Sequence, residues 1–169
     1  MGNRAVIIAQ NKEGKVSNVG LYLHWNGGFN SIQAFLAYCE MMDFRPPEMD
    51  SYGWAQMVKI IGNFFDEGKR SNGLSLGVIS VADAKTKNGQ LADDAVAKLT
   101  PGDNGVYIIR DWHVVQHLDG WYPDEATSAE ELEEFMIEIN SAQPYQVPEE
   151  EIYEFAEKYE SEESTGSAA

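Results

Sequence analysis

Cysteine is almost absent from this 169-residue sequence. The single cysteine, Cys39, has no partner for an intramolecular disulfide, so nothing requires an oxidising compartment. Long hydrophobic runs are also absent, because the apolar segment 5–9 has the length of a strand and is too short for export or for crossing a membrane. These absences predict a cytoplasmic protein without a membrane-spanning segment.

Positive charge is scarce as well, with 12 Lys and Arg against 28 Asp and Glu and a formal net charge of -16. A protein of this charge repels phosphate, whereas nucleic-acid-binding proteins gain much of their affinity from Lys and Arg that displace counterions. We therefore expect no direct contact with nucleic acid. A basic partner suits such a chain better.

The negative charge is concentrated at one end of the chain. Residues 1–120 contain 11 basic and 13 acidic side chains, whereas residues 121–169 contain one basic and 15 acidic side chains. An aromatic content of 11% argues against disorder of the whole chain. We predict a core domain over residues 1–120, an acidic two-helix extension over residues 121–160 and a disordered tail over residues 161–169.

Strand and helix patterns occur in blocks within the first 120 residues. Strands are predicted at 5–9, 19–24, 74–79, 106–109 and 113–116, with a tight turn at Arg110-Asp111. Two helices between the second and third strands have apolar stripes at Ile32, Phe35, Leu36 and Cys39, and at Trp54, Met57, Val58, Ile61 and Phe65. Residues 82–100 fit either a short helix or a surface loop. The blocks favour an α+β fold, with a mostly antiparallel sheet of about five strands and two helices on one face.

The acidic extension has two amphipathic helix patterns. Thr127 or Ser128 precedes the first pattern as in a capping box, and Pro148 precedes the second. The apolar stripes are Leu132, Phe135, Met136 and Ile139, and then Ile152, Phe155, Ala156 and Tyr159. The acidic face comprises Glu130, Glu131, Glu133, Glu134, Glu138, Glu150, Glu154 and Glu157. One interpretation is a solvated face that maintains solubility, and the other is a row of charges that imitates phosphates on a basic partner.

Catalytic and cofactor motifs are missing. His113 and His117 fall on a predicted strand, where they lie roughly 13 Å apart, too far for one metal ion. No HExxH, P-loop, G-x-G-x-x-G or G-x-S-x-G motif is present, and Cys39 falls on an apolar helix stripe. We therefore predict no metal site, no cofactor and no catalytic residue.

A ligand pocket is the main chemical candidate in the core. Polar and aromatic residues at strand ends and on the flanking helices predict a site for a small nucleotide-like molecule. These residues are Arg4, His24, Trp25, Asn26, Tyr52, Trp54 and Asn63. Alternatively, Trp25 and Trp54 anchor the core, Asn26 turns the chain and Asn63 caps it. A hydrolase or transferase that uses His24 is a further alternative.

Several strings resemble a family of small proteins of bacteriophages and other mobile elements. They are Gly2-Asn3-Arg4-Ala5-Val6-Ile7, Leu21-Tyr22-Leu23-His24-Trp25-Asn26-Gly27-Gly28, Tyr52-Gly53-Trp54-Ala55, Ile61-Gly62-Asn63-Phe64-Phe65 and Asp103-Asn104-Gly105-Val106-Tyr107. The resemblance covers residues 2–116 and implies a genomic setting without an activity. The acidic extension is an addition to this pattern.

The mobile-element setting favours a non-enzymatic inhibitor of host defence. We expect its acidic helices to bind a basic surface on a host protein. Sequestration of a nucleotide-like signalling molecule and catalysis by His24 are the alternatives. A homo-oligomer is predicted if an apolar helix stripe remains uncovered by the core.

Overall fold

A computed structural model of the chain describes residues 2–66, 75–125 and 127–166, with side chains described to Tyr159. The strands are β1 Ala5–Gln10, β2 Val16–Leu23, β3 Leu76–Ser80, β4 Val106–Arg110 and β5 His113–Leu118. The helices are α1 Phe29–Met41, α2 Ser51–Phe65, α3 Ala95–Leu99, α4 Ala129–Ser141 and α5 Glu149–Gly166, with a 3₁₀ turn at Ala82–Ala84. The predicted α+β fold and its order of core strands and helices are confirmed.

The five strands form one sheet in the order β3-β2-β1-β4-β5. Antiparallel pairing joins β1 to β2, β2 to β3 and β4 to β5, which confirms the mostly antiparallel sheet. The exception is the central pair, in which β1 runs parallel to β4 with Val6 opposite Val106. Because parallel strands need a crossover, the chain forms α1, α2 and β3 before it returns to the centre of the sheet.

One face of the sheet packs against the main hydrophobic core. Alternate residues of the three central strands face this core, as the period of two in a strand requires. They are Ala5, Ile7, Ala9, Leu21, Leu23, Tyr107 and Ile109. The predicted stripe of α1 is fully buried against them, and Met57 and Ile61 of α2 are buried beside it. Burial of apolar area on this scale is the main stabilising contribution to folding.

The acidic helices α4 and α5 are covered by the same core. Leu132, Met136 and Ile139 of α4 are buried in one cluster with the α1 stripe, and Ile152 and Ala156 of α5 are buried there too. Four helices therefore share one core on this side of the sheet, two from the predicted core and two from the predicted extension, and α4 packs against α1, α2 and α5. The boundary at residue 120 separates a nearly neutral part of the chain from an acidic part, but residues of both parts are buried in one hydrophobic core.

Buried amides fasten α4 to the first two helices. The Tyr38 hydroxyl of α1 donates to Oδ1 of Asn140 at 2.8 Å. Gln143, just after α4, donates from Nε2 to the Ile60 carbonyl of α2 at 3.1 Å. Burial raises the pKa of Tyr38 to about 12, so its hydroxyl stays protonated at neutral pH and remains a donor.

The opposite face of the sheet is covered by a shorter segment of chain. Val6, Ile8, Val106 and Ile108 form a second cluster with Val81, Ala84, Ala95 and Leu99. Residues 82–100 were predicted to form either a short helix or a surface loop. They contain the 3₁₀ turn and the five-residue α3, joined by irregular chain. This segment lies on the sheet because its few apolar side chains cover the outward-facing residues of β1 and β4.

The turn between β4 and β5 lies one residue later than predicted. Asp111 and Trp112 are its central residues and have positive φ angles of 53° and 65°. A tryptophan rarely adopts this conformation, but the Trp112 ring is buried and its Nε1 donates to the Phe44 carbonyl at 2.8 Å. The Asp111 N–H donates to the Glu48 carboxylate at 2.8 Å. Tertiary contacts thus hold a turn that local preference does not favour.

The end of the chain differs from the prediction of a disordered tail. Helix α5 continues to Gly166, because glutamate has a good intrinsic helix propensity and extends the turn after Tyr159. Residues 167–169 of the predicted tail lie outside the described residues, as do residues 67–74, where the third strand was predicted to begin. Within the described segments, no helix combines the length and the apolar character needed to span a membrane.

We expect Met136→Ala to lower the free energy of unfolding by about 2 to 5 kcal/mol, because it leaves a cavity in the core beneath α4. Urea denaturation followed by circular dichroism measures this change. The matched control is Glu134→Ala on the exposed side of the same helix, which should change stability by less than about 0.5 kcal/mol. Equal effects of the two substitutions would contradict the packing of α4 into the core.

Candidate functional site

Four of the seven predicted ligand residues lie at one end of the sheet. Arg4 precedes β1, while His24, Trp25 and Asn26 follow β2. The indole of Trp25 is 46% exposed and meets the His24 ring edge-on, with ring centroids 5.1 Å apart. Asn26 has a φ of 56°, which agrees with its alternative role as the residue that turns the chain. Trp25 is too exposed to be the core anchor that the other interpretation required.

The other three predicted ligand residues are held elsewhere. Tyr52 is 62% exposed in the first turn of α2, where the Arg45 guanidinium lies 5.2 Å from its ring centroid. Trp54 packs against the core, as its alternative interpretation expects. Asn63 donates from Nδ2 to Oε1 of Gln143 at 2.8 Å and so forms part of the helix–helix contact instead of a cap. Tyr52 and Asn63 lie roughly 16 Å apart along the axis of α2, so these two side chains do not share one pocket.

His24 lacks the neighbours of a catalytic base. Its Nδ1 lies 3.0 Å from the hydroxyl oxygen of Tyr22. Among the described hydrogen-bond and ring contacts of the His24 side chain, the partners are Tyr22 and Trp25, and no carboxylate, hydroxyl of serine or thiol is among them. An activated nucleophile needs a base that a third group orients, and the residues that the structure describes do not form that arrangement around His24.

A cavity of about 470 Å³ opens beside this cluster, at the beginning of α1. Four separate parts of the chain form it: the residues before β1, the start of α1, the β4 region, and β5 with the loop after it. The lining residues are Gly2, Asn3, Gly28, Phe29, Asp103, Asn104, Tyr107, His117, Tyr122, Pro123 and Asp124. Its size is within the range of sites for small organic ligands.

Glycine permits the close approach of strands at the base of this cavity. Gly105 has a φ of 71°, and a side chain there would collide with the Leu118 carbonyl of β5. The loop after β5 is joined to the same turn, since the Trp121 N–H donates to the Asp103 carbonyl at 3.0 Å. The two loops that carry Asp103 and Asp124 are therefore held at one end of the sheet.

Stacked rings form the inner wall of the cavity. Tyr107 of β4 and His117 of β5 are nearly parallel, with centroids 4.0 Å apart and planes at 13°. The Tyr107 hydroxyl donates to the Gly27 carbonyl at 2.8 Å and so ties the β2–α1 loop to the sheet. Burial, together with the nearby carboxylates of Asp124 and Asp103, raises the pKa of Tyr107, so this hydroxyl remains a donor at neutral pH.

His117 is engaged at both ring nitrogens. Its Nδ1 lies 2.6 Å from Oδ1 of Asp124, and its Nε2 contacts the backbone carbonyl oxygen of Asn104. A His–Asp pair in a cavity resembles a general base with its orienting carboxylate. Here the second nitrogen faces a carbonyl acceptor, and the lining contains no serine, threonine or cysteine. The pair therefore fixes the loop after β5, and no nucleophile lies beside it.

The described part of the chain contains no assembled site for a metal ion or for a reactive thiol. No three His, Cys, Asp or Glu side chains come together there as ligands for a metal ion. Cys39 is fully buried, and burial raises the pKa of its thiol, which confirms its prediction as a core residue.

His113 has a structural position between β5, α5 and α1. Its ring stacks on Tyr159 of α5 with centroids 5.4 Å apart, and its Nε2 lies 3.3 Å from Oε1 of Glu40 in α1.

The acidic face forms the outer surface of α4 and α5. Glu130, Glu134 and Glu138 are exposed at intervals of four residues on α4, and Glu131 is exposed beside them, while Glu133 is half-buried. Glu150, Glu154 and Glu157 are exposed on the outer side of α5. In the segments that the structure describes, none of these eight carboxylates forms a salt bridge. The predicted face therefore exists as a surface of uncompensated negative charge.

Comparison with protein-family models, with curated proteins and with solved structures finds no match to this chain. The cavity is the feature that the sequence prediction missed, since its residues have no characteristic spacing. A partial signal was present in the strings that carry the mobile-element resemblance. Those strings contain six of the eleven lining residues, namely Gly2, Asn3, Gly28, Asp103, Asn104 and Tyr107.

We expect Tyr107→Phe to destabilise the protein by about 1 to 3 kcal/mol, because the buried Gly27 carbonyl loses its side-chain donor. Chemical denaturation measures the loss. Tyr145→Phe is the matched control, since this tyrosine is exposed on the loop between α4 and α5 and should leave stability unchanged. A Tyr107→Phe protein as stable as the wild type would show that the hydroxyl does not anchor the β2–α1 loop.

Proposed function

We propose that this chain is a non-enzymatic, cytoplasmic binding protein whose α4–α5 acidic face binds a basic surface on another protein. The observation that carries the proposal is the row of exposed, unpaired glutamates on two helices that the core holds in place. Glutamates that served only solubility would not need fixed positions on the protein surface. A binding surface gains from them, because less conformational freedom is lost when the partner associates.

The acidic face is held rigid by contacts inside the hairpin as well as by the core. Asn140 at the end of α4 donates from Nδ2 to the Val147 carbonyl at 3.0 Å and accepts from the Val147 N–H at 3.0 Å. Ser128 begins the same helix by accepting from the Glu131 N–H at 3.2 Å. These bonds fix both ends of α4, so the glutamates between them keep a constant spacing.

The spacing of the charges suits a partner that normally binds nucleic acid. Residues four apart on a helix are about 6 Å apart along its axis, so Glu130, Glu134 and Glu138 form an evenly spaced negative row. The exposed glutamates of α5 add further charge beside it. Such a surface attracts a basic groove by long-range electrostatics and blocks it once bound.

The mobile-element resemblance suggests which partner this is. In that setting, the basic surface belongs to a host defence protein that acts on nucleic acid, and the bound acidic face excludes its substrate. The proposed role is therefore counter-defence. The small number of basic residues also supports a protein partner, because it disfavours direct contact between this chain and nucleic acid.

We expect the triple substitution Glu130→Gln, Glu134→Gln and Glu138→Gln to weaken partner binding about tenfold or more, mainly through slower association. The immobilised full-length chain is used to isolate a host protein, which is then purified, and its association is measured at low and high salt. Duplex DNA should compete with the chain for that protein. Full-length variants are needed, because removal of residues 121–169 would expose the core beneath α4 and α5.

The control removes the same amount of charge elsewhere. Glu13→Gln, Asp83→Asn and Asp93→Asn change three exposed acids outside the acidic face, and this variant should bind as the wild type does. Equal weakening by both triple variants would show that only net charge matters. Unchanged binding of the α4 variant, or a partner that duplex DNA does not displace, would contradict the proposal.

A further inference from the structure

We propose that the cavity at the start of α1 binds an uncharged heteroaromatic ring that carries an exocyclic amine, such as the base of a free nucleoside. This site is separate from the acidic face. The inference rests on an unused polar atom, on the pairing of the charged groups and on the aromatic walls.

The unused polar atom belongs to Asn104. This side chain is only 5% exposed, and its Nδ2 donates to Oδ1 of Asn3. In the part of the chain that the structure describes, its own Oδ1 has no donor, although it lines the cavity. This oxygen keeps its capacity to accept a hydrogen bond at the cavity surface, so a ligand N–H is its natural complement. An exocyclic amine supplies such a donor, and asparagine is a frequent partner of amino-bearing bases.

The charges in the cavity disfavour an ionic ligand. The Arg4 guanidinium lies 3.6 Å from Asp103, and Asp124 contacts His117 at 2.6 Å. Each carboxylate therefore has a nitrogen-bearing neighbour, and the lining residues include no lysine or arginine that would attract a phosphate. The second oxygen of each carboxylate still has capacity to accept a hydrogen bond from a neutral donor. A polar but uncharged molecule fits this balance better than a phosphate or an ammonium ion does.

Aromatic side chains provide surfaces for a flat ligand. Phe29 lies at the start of α1 and stacks towards Tyr107, with centroids 6.3 Å apart. Across the cavity, Tyr122 is 68% exposed, and its ring is available to a ring that enters from solvent. Stacking between an aromatic side chain and a base is favourable for every base. Stacking therefore supplies affinity, and the Asn104 carbonyl supplies selectivity for an amine.

The test compares adenosine with inosine by calorimetry on the full-length protein. Inosine has the same purine shape but a carbonyl in place of the exocyclic amine, so it would face the Asn104 carbonyl with an acceptor. We expect adenosine to bind at least tenfold more tightly than inosine. Because the ligand is uncharged, its affinity should be nearly independent of salt concentration.

Two variants locate the binding. Tyr122→Ala should weaken adenosine binding about tenfold through lost stacking, and it is safe for folding because the ring is exposed. Tyr145→Ala removes another exposed tyrosine, which lies outside this cavity, and should leave the affinity unchanged. A denaturation curve for each variant confirms that both are folded.

Three results would overturn the proposal. One is equal binding of adenosine and inosine, and another is an affinity that Tyr122→Ala leaves unaltered. The third comes from a short oligoadenylate, which presents the same base on a chain of phosphates. Weaker binding of the oligoadenylate than of adenosine supports a free nucleoside as the ligand, whereas tighter binding would show that a nucleic-acid strand is recognised instead.

Discussion

Covering the apolar face of the central strands is the physical requirement on which the rest of the molecule depends. The face presented by β1, β2 and β4 packs against a core in which residues 32–39 of α1 are all buried, and apolar surface of that extent is unfavourable when exposed to water. Helices α4 and α5 pack against α1 and complete the cover of this core, although the segment that contains them is the most highly charged part of the chain. Burial of their apolar stripes orients each helix, and the glutamates consequently face outward. Self-association was predicted for the case in which an apolar helix stripe remains uncovered, and this packing buries most of the stripes of α4 and α5. A homo-oligomer therefore stays a prediction without support from these helices.

Periodicity predicted the fold because the elements obey local rules. The helix stripes at Ile32 and Phe35 in α1, and at Leu132 and Met136 in α4, are buried as their spacing requires. Periodicity carries no information on pairing between distant strands, so the parallel contact of β1 with β4 was not predicted. The turn at Trp112 was placed one residue early because a buried tryptophan with positive φ is stabilised by tertiary contacts and not by local preference.

The candidate sites differ in how far the sequence reveals them. A charged face on a helix depends only on spacing within one segment, and the exposed positions of Glu130, Glu134 and Glu138 agree with that spacing. The cavity depends on four segments, and its polar residues are ordinary in their local sequence. His117 and Asp124 become partners because the chain bends back after β5. Tyr52 and Asn63 were grouped with His24 because they are polar or aromatic and flank the same strands, but Tyr52 and Asn63 lie near opposite ends of α2.

The parallel pairing of β1 with β4 also sets a condition on the order in which the protein can fold during synthesis. Strand β1 is synthesised before β4, and the edge of β1 that pairs with β4 has no partner until β4 has followed about 100 residues later. During that interval, β1 has an unpaired edge, and unpaired strand edges can form hydrogen bonds with strands of other chains. Closure at such a sequence separation is slow, because the loop entropy is lost before the contact is gained. The nascent chain is therefore most prone to aggregation before residue 110 is free to pair.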